Sequence, residues 1–450
     1  MSPTRGDFVS IIRLAWPVFL GQLATIGFGV VDTVMVARYS SEDLAALSMG
    51  HAVYISTYVG LIGVLQAITP VVAQLHGAQR HADIGEEIRQ SAWLALVLAA
   101  LGALILCFPG PLLRISGAAP ELLDKSRVYL LLLAAGLPGA LAFRVYAALN
   151  TAVSRPLAVS LIQIGGLSLK FPLSYLFIFG GFGLPAMGTA GCGLATTVIS
   201  WSMGLSGLWL LKRGGFYVPF AIFVRLAPPN FKAIGGLLRL GLPIGVTQLI
   251  EVTSFTFMAL FIARLGASML AAHQIVANID TVLYTLPLSL GIASSTLVAQ
   301  AVGGHRLDEA RRIGWNGLRL GLFCTLTLAV LIAVFKGALL SAYTPDPKVI
   351  AVALPLLGFI AFYQIVDGAQ VIANFVLRAY KIAFLPMAVY AVSLWGIGLG
   401  GGYHVGLAWS DRLPAAVTGA AGFWLASCVS LGAAAVCLIG LLAWRARQTD

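Results

Sequence analysis

The chain has 450 residues, of which 59% are hydrophobic and only 10% charged, with a mean hydropathy of +0.93 and a formal net charge of +11. A soluble protein of this length needs a polar surface that this composition cannot supply, so an all-α polytopic membrane protein is expected. A β-barrel is excluded because ten-residue alternating segments are absent, and a nucleic-acid surface is excluded by where the basic residues lie.

The first apolar run, Leu14 to Val36, is too long for the core of a cleavable signal and reads as the first span. Runs of similar length recur to the end of the chain, each sufficient for a hydrocarbon core of ~30 Å. They predict twelve spans near 11–37, 45–75, 91–110, 128–150, 158–179, 188–211, 236–263, 270–300, 314–335, 349–377, 384–402 and 416–443. The links are short and polar or marked by Gly and Pro. The longest, 212–235, contains KRGGFYVPF and APPN and is expected to join an N-lobe, 1–211, to a C-lobe, 236–450. The five cysteines (Cys107, Cys192, Cys324, Cys428, Cys437) lie in apolar segments without metal spacing or a CxxC pair and read as small buried hydrophobes.

With the N-terminus inside, 18 Lys and Arg fall on inner segments, Arg225, Arg378 and Arg447 among them, and 8 on outer ones, Arg114 among them. The positive-inside rule then places both termini in the cytoplasm, and the basic balance is topology.

The halves of the chain repeat. RLAWPVFLGQL at 13–23 matches RLGLPIGVTQL at 239–249, and VAQ at 72–74 recurs at 298–300. Over 13–80 a constant shift of 226 gives 17 identities in 68 positions without a gap. GTAGCGLA at 188–195 is echoed by GAAGFWLA at 419–426. Six spans per repeat is an even number, so the lobes are expected to point the same way, related by a pseudo-two-fold axis along the membrane normal. That plan recurs in secondary transporters working by alternating access, although channels and membrane enzymes can also be duplicated.

Ionisable residues inside spans cost about 2.5–3.5 kcal/mol each on insertion scales and are functional hypotheses by default. In chain order they are Asp32 in GFGVVDTVMVA, Lys170 in GLSLKFPLSYLFIF, Glu251 in QLIEVTSF, Asp280 in ANIDTVLYTLP and Asp367 in FYQIVDGAQ. Arg144 sits near the inner end of span 4, where it is expected to snorkel. The acids break the repeat, because the 226 shift sets Asp32 against Met258 and Glu251 against Thr25. A carboxylate in a low-dielectric cavity can take up a proton near neutral pH or hold Na⁺ with its oxygens. Either event biases one bistable structure, which is the physical basis of coupling. Lys170 is the sole charge in the 22 residues from Ala158 to Phe179. Asp32 lies roughly 8 Å further toward the outside by helical rise, within reach of a lysine stem of about 6 Å. An ion pair of Lys170 with Asp32 is therefore expected, with an isolated neutral lysine as the alternative.

The VDTVMVA run, VAQLHGAQR closing span 2, GLPIGVTQLIEVTSF, AAHQIVANI, LPLSLGIASSTLVAQAVG and VDGAQVIANFVLRAYKI resemble, in order and across essentially the whole chain, the multidrug and toxic compound extrusion (MATE) family, NorM-like branch. The resemblance implies a twelve-helix, two-lobed exporter of cationic and amphipathic compounds driven by inward H⁺ or Na⁺. It implies that Asp32 is the acid of the N-lobe cavity, that Glu251 and Asp367 form the C-lobe cation site and possible Na⁺ ligands, that Tyr363 is the aromatic beside them, and that Pro17 is a candidate bend of helix 1. Relatives usually carry Asn-x-Pro-x-Asn in helix 5, where this chain reads Lys170-Phe171-Pro172-Leu173-Ser174. The substitution puts any N-lobe sodium chemistry in doubt. Asp280 is a second departure, either supporting the C-lobe site or bonding a neighbouring helix.

The expectation is thus an H⁺-coupled, alternatively Na⁺-coupled, multidrug antiporter, with Asp32, Glu251, Asp367, Tyr363, Lys170, Ser174 and Asp280 as site residues. No cofactor beyond the coupling ion, small amphipathic substrates, membrane lipids as surroundings, no nucleic acid, a monomer and the bacterial inner membrane complete it. The alternative is a flippase for a lipid-linked precursor of the same superfamily. HExxH, GxSxG and a paired His and Asp inside a span are absent from the sequence, so no enzyme is expected, and His273 reads as structural.

Overall fold

The computed structural model describes residues 3–110, 119–224, 227–409, 412–414 and 417–447, without the side chains of 3, 4, 446 and 447. Of the basic residues in the topology count, Arg114, Arg225 and the Arg447 side chain lie outside them, as does residue 416 of the last expected span. Among the described residues, twelve helices are long and apolar enough to cross a membrane. They are α1 Pro3–Tyr39, α2 Ser41–Gly77, α3 His81–Cys107, α4 Pro120–Ala152, α5 Pro156–Phe179, α6 Gly188–Arg213, α7 Phe231–Ala263, α8 Ala267–Gly303, α9 Leu307–Tyr343, α10 Pro347–Ala379, α11 Phe384–Ala408 and α12 Ala420–Arg447.

Most helices outrun the apolar windows that announced them. α9 begins at Leu307 and ends at Tyr343 where 314–335 was expected, and α3 begins ten residues early at His81. Hydropathy marks only the stretch that needs hydrocarbon, whereas the backbone bonds of a helix continue into polar ends such as DIGEEIRQ. Starts follow local chemistry. Pro120, Pro156 and Pro347 open α4, α5 and α10, where a missing N–H costs nothing. Asp346 caps α10 by accepting from Lys348 N at 2.9 Å. α1 runs continuously through Pro17. α2 is interrupted by a turn at Gln66–Ala67, and α11 is π-helical over Ala391–Gly400 and His404–Ala408.

The chain forms two compact units, Leu20–Gly245 and Met1–Phe19 with Val246–Asp450. α1 and α7 therefore each contribute their first part to one unit and the rest to the other. In the Leu20–Gly245 unit, α4 and α6 meet on small residues: a Cβ at Gly204 would stand 2.6 Å from the Gly139 carbonyl oxygen. Thr197 Oγ1 donates to Leu132 O at 2.6 Å and Trp201 Nε1 to Ala135 O at 2.9 Å across the same seam. Residues 217–221 and 228–230 are bound to this unit. Tyr217 OH donates to Asn150 Oδ1 at 2.7 Å, Arg89 Nη1 to Ala221 O at 2.8 Å, and Gln90 Nε2 to Pro228 O at 3.0 Å, while Asn230 N donates to Gln90 Oε1 at 2.7 Å.

The other unit repeats the device. Asn316 on α9, which the 226 shift pairs with Gln90, donates through Nδ2 to Asp7 Oδ2 at 2.9 Å, and Arg312 Nε donates to the same oxygen at 2.8 Å. The third helix of each repeat thus clasps the lead-in of a first helix, α3 that of α7 and α9 that of α1.

Candidate functional site

In the Leu20–Gly245 unit, Lys170 Nζ lies 2.7 Å from Asp32 Oδ1, joining α5 to α1. The lysine side chain is 1% exposed and the aspartate 14%. Lys170 Nζ also donates to Thr196 Oγ1 on α6, whose own hydroxyl is oriented by donation to Cys192 O at 3.0 Å. The ammonium is therefore seated by a carboxylate and a hydroxyl, the pairing that a buried cation requires. Ser174, one turn beyond Lys170, is fully buried, and among the described residues its Oγ has no hydrogen-bond partner. His51 and Tyr54 on α2 lie within electrostatic range of Asp32. Arg144 does not snorkel free, because its Nε donates to Tyr58 OH at 3.2 Å.

In the other unit the polar groups gather on one face of α10. Tyr363, Asp367, Gln370 and Asn374 recur at helical spacing, and with Gln364 and Arg378 all are buried. Asn374 Nδ2 donates to Tyr390 OH at 3.1 Å, Tyr390 OH donates to Gln370 Oε1, and Gln370 Nε2 donates to Asp367 Oδ1 at 2.8 Å. Glu251 on α7 is within electrostatic range of Asp367, Arg378 and Tyr390. Asp280 on α8 is 6% exposed and accepts from Gln364 Nε2 at 2.7 Å. Among the described residues Asp367 Oδ2 and Gln364 Oε1 are buried without a hydrogen-bond partner. Such orphaned acceptors are rare in native proteins and mark places that take a proton, an ion or water.

Tyr363 packs edge-on against Trp424 (5.5 Å between centroids) and Phe255 (6.4 Å), and His273 lies 5.7 Å from Trp424. A cavity of about 10 Å³ opens against Tyr363, Phe255, Met258 and Ser430, the room of about one water. Asp280, which was expected either to support Asp367 or to bond a neighbouring helix, bonds Gln364 of α10 and stands in electrostatic range of Asp367.

The MatE family model matches residues 17–176 and 243–404. The chain belongs to the MatE family. This MatE chain is 41% identical over 436 residues to the Probable multidrug resistance protein NorM of Aromatoleum aromaticum, covering 96% of this chain and 93% of that one. It is 35% identical over 445 residues to the Multidrug resistance protein PmpM of Pseudomonas aeruginosa, covering 99% and 93%. Among solved structures it resembles a multidrug resistance MATE family transporter in an outward-facing conformation, with a TM-score of 0.89 at 17% identity over 100% of this chain and 97% of that one. The Vibrio cholerae MATE transporter VcmN gives 0.88 at 17%, covering 100% and 99%. The twelve-helix membrane fold of this MatE protein is that of its structural relatives.

The structure also brings in residues that the sequence left aside. Arg378 was counted as an inner loop cation, yet it is 5% exposed, stacks 4.4 Å over the Phe375 ring and faces Glu251. Gln364, Gln370, Asn374 and Tyr390 were not singled out. Their signal was legible in part, as an all-polar face at 4-3-4 spacing, Tyr363–Asp367–Gln370–Asn374, in an otherwise apolar helix. Thr196 carried no signal, since a threonine in a span is ordinary until its neighbour is known.

Proposed function

We propose that this protein is a secondary active multidrug exporter of the inner membrane, an antiporter rather than an enzyme, exchanging cationic and amphipathic compounds against H⁺ by alternating access, with both termini in the cytoplasm. The observation that carries the reading is the α10 network around Asp367. Its Oδ1 is held by Gln370 while its Oδ2, among the described residues, is buried without a hydrogen-bond partner, with a second acid, Glu251, in electrostatic range. An acid so placed gains a bond by taking a proton, and loses it when the surroundings open to water. The preference for H⁺ over Na⁺ rests on donor count. Gln370 and Gln364 direct amide N–H groups at Asp367 and Asp280, donors that a bound Na⁺ would have to displace. A proton needs one free oxygen, whereas Na⁺ needs a shell of them.

Substrate cations would be drawn by the acids and their apolar parts held by aromatic and methionine side chains such as Phe255, Tyr363 and Met258. In everted vesicles, an imposed pH gradient should drive loading of a fluorescent cationic dye, and an imposed Na⁺ gradient should not. Drive by Na⁺ alone would reverse the ion assignment, and absence of dye movement under both would defeat the exporter reading.

A further inference from the structure

α6 is 26 residues long and ends in Lys212 and Arg213. At helical rise it measures about 39 Å, so a hydrocarbon core of ~30 Å leaves its last turn at the level of the lipid headgroups. The chain then enters a 3₁₀ helix, Gly215–Phe220, whose period of three sets Tyr217 and Phe220 on one buried face. Tyr217 OH donates to Asn150, Arg89 donates to the carbonyls of Ala221 and Ile222, and the Phe220 ring centroid lies 5.6 Å from that of His81. The segment is thus pinned by its inner face to the Leu20–Gly245 unit.

Its outer face is apolar. Val218 is 74% and Val224 79% exposed, and Phe223 is exposed beside them. A pinned backbone cannot withdraw these side chains, and a contiguous apolar patch of this kind marks an interaction surface. Cations border it. Arg155, exposed just before α5, places its guanidinium carbon 4.0 Å from the centroid of the Phe216 ring. Lys212 and Arg213, also exposed, precede Phe216 in the chain by a Gly-Gly pair. Among the described residues no carboxylate lies in salt-bridge range of these three cations. The sequence holds no Asp or Glu between Asp124 and Glu251. Asp83 and Glu86 of the neighbouring α3 are already paired, with Arg80 at 2.6 Å and Arg89 at 2.7 Å.

We propose that this segment is a binding site for an anionic phospholipid of the surrounding bilayer, with Arg155, Lys212 and Arg213 on the phosphate and Phe223 and Val224 against the acyl chains. Cations without acids select an anion. Exposed apolar side chains beside them, at headgroup depth, select an anion that carries acyl chains over a free phosphate. A zwitterionic lipid brings its own cation next to the phosphate and is disfavoured by an uncompensated basic cluster. The site lies within one unit and does not depend on what the protein exports.

The purified full-length protein is titrated in detergent with dioleoyl phosphatidylglycerol or dioleoyl phosphatidylcholine, and bound lipid is counted by native mass spectrometry. Phosphatidylglycerol should bind more tightly. Joint replacement by Arg155→Gln, Lys212→Gln and Arg213→Gln should lower the ratio of the two affinities about tenfold, the effect of losing charge-assisted contacts to one phosphate. Phe223→Ser with Val224→Ser should weaken both lipids alike and leave the ratio as it was; undiminished binding of both would overturn the acyl-chain contact. Equal affinity of the parent protein for the two lipids, or an unchanged ratio in the folded triple variant, overturns the proposal and leaves the cations as a topology signal. An equal fall in Lys336→Gln, at an exposed lysine of α9, would make the effect one of overall charge and also overturn it. Glycerophosphoglycerol displacing phosphatidylglycerol at equal concentration would make the occupant a free phosphate ester and defeat the lipid assignment. If the triple variant does not fold, Lys212→Gln with Arg213→Gln keeps the Arg155–Phe216 contact and should lower the ratio severalfold; no change overturns the proposal equally. Because no export is measured, failure of the exporter reading leaves this result standing.

Discussion

Lys170 Nζ and Asp32 Oδ1 stand 2.7 Å apart, the lysine 1% exposed, and the same two helices, α5 and α1, are also joined by a Gln163–Thr25 bond of 3.1 Å. Removing one partner of such a pair leaves a charge in a medium that cannot solvate it. Lys170→Met should destabilise the protein by about 3–5 kcal/mol, and Asp32→Leu combined with Lys170→Met should restore most of the loss. Melting temperatures in detergent, read by a thiol-reactive dye or by retention on a sizing column, check the cycle. Additive losses would show that the pair carries no coupling.

The same pair bears on the ion requirement. On the proposed coupling reading, Lys170 stands beside Asp32 at the place where a mobile cation would otherwise help neutralise the acid. Lys170→Asn should make dye efflux respond to Na⁺ or change its dependence on external pH. An ion profile identical to that of the parent protein would leave the pair a structural one.

Asp280 and Asp367 are separable by substitution. Asp280→Asn keeps an oxygen for the Gln364 amide and should lower stability by less than 1 kcal/mol, whereas Asp280→Leu strands a buried N–H and should cost about 1–3 kcal/mol. Dye efflux by a stable Asp280→Asn protein should persist, and efflux by Asp32→Asn, Glu251→Gln or Asp367→Asn should be abolished. Loss of efflux in Asp280→Asn at unchanged stability would move Asp280 into the coupling group.

The two clasps predict matched effects from matched residues. Gln90→Leu leaves Asn230 N and Pro228 O without their side-chain partner and should cost about 1–3 kcal/mol. Asp7→Ala strands the buried Asn316 amide and should likewise cost about 1–3 kcal/mol, while the Arg312 side chain, 40% exposed, can turn to water. Thermal stability of both single variants and their combination checks this. The losses should add, since the two clasps lie in different units.

Close approach gives a steric prediction. A side chain at Gly204 meets the Gly139 carbonyl at 2.6 Å, backbone that cannot swing away. Gly204→Leu should therefore abolish accumulation of folded protein, while Gly165→Leu, where a Cβ meets nothing within 4 Å, should be tolerated. Size-exclusion profiles of the two variants distinguish them.

By itself the sequence determined the membrane class, the twelve spans, the duplication and that Asp280 and Asp367 are buried acids. Each rests on a signal local to one stretch: apolar length, a constant shift of 226, a charge inside an apolar run. Lys170 shows how far this extends, since helical rise alone brings it within reach of Asp32. What only the tertiary structure decided is what each polar group faces. Arg378 reads as a loop cation because span length is measured along one helix, and it became a buried neighbour of Glu251 only once α7, α10 and α11 were packed. Arg144 reads as a snorkelling side chain until α2 supplies Tyr58. Gln90 and Asn316 are unremarkable amides until the lead-ins of α7 and α1 return to them. In a membrane unit the cost of a polar group is set by its partner across a helix seam, and that partner lies tens or hundreds of residues away in the chain.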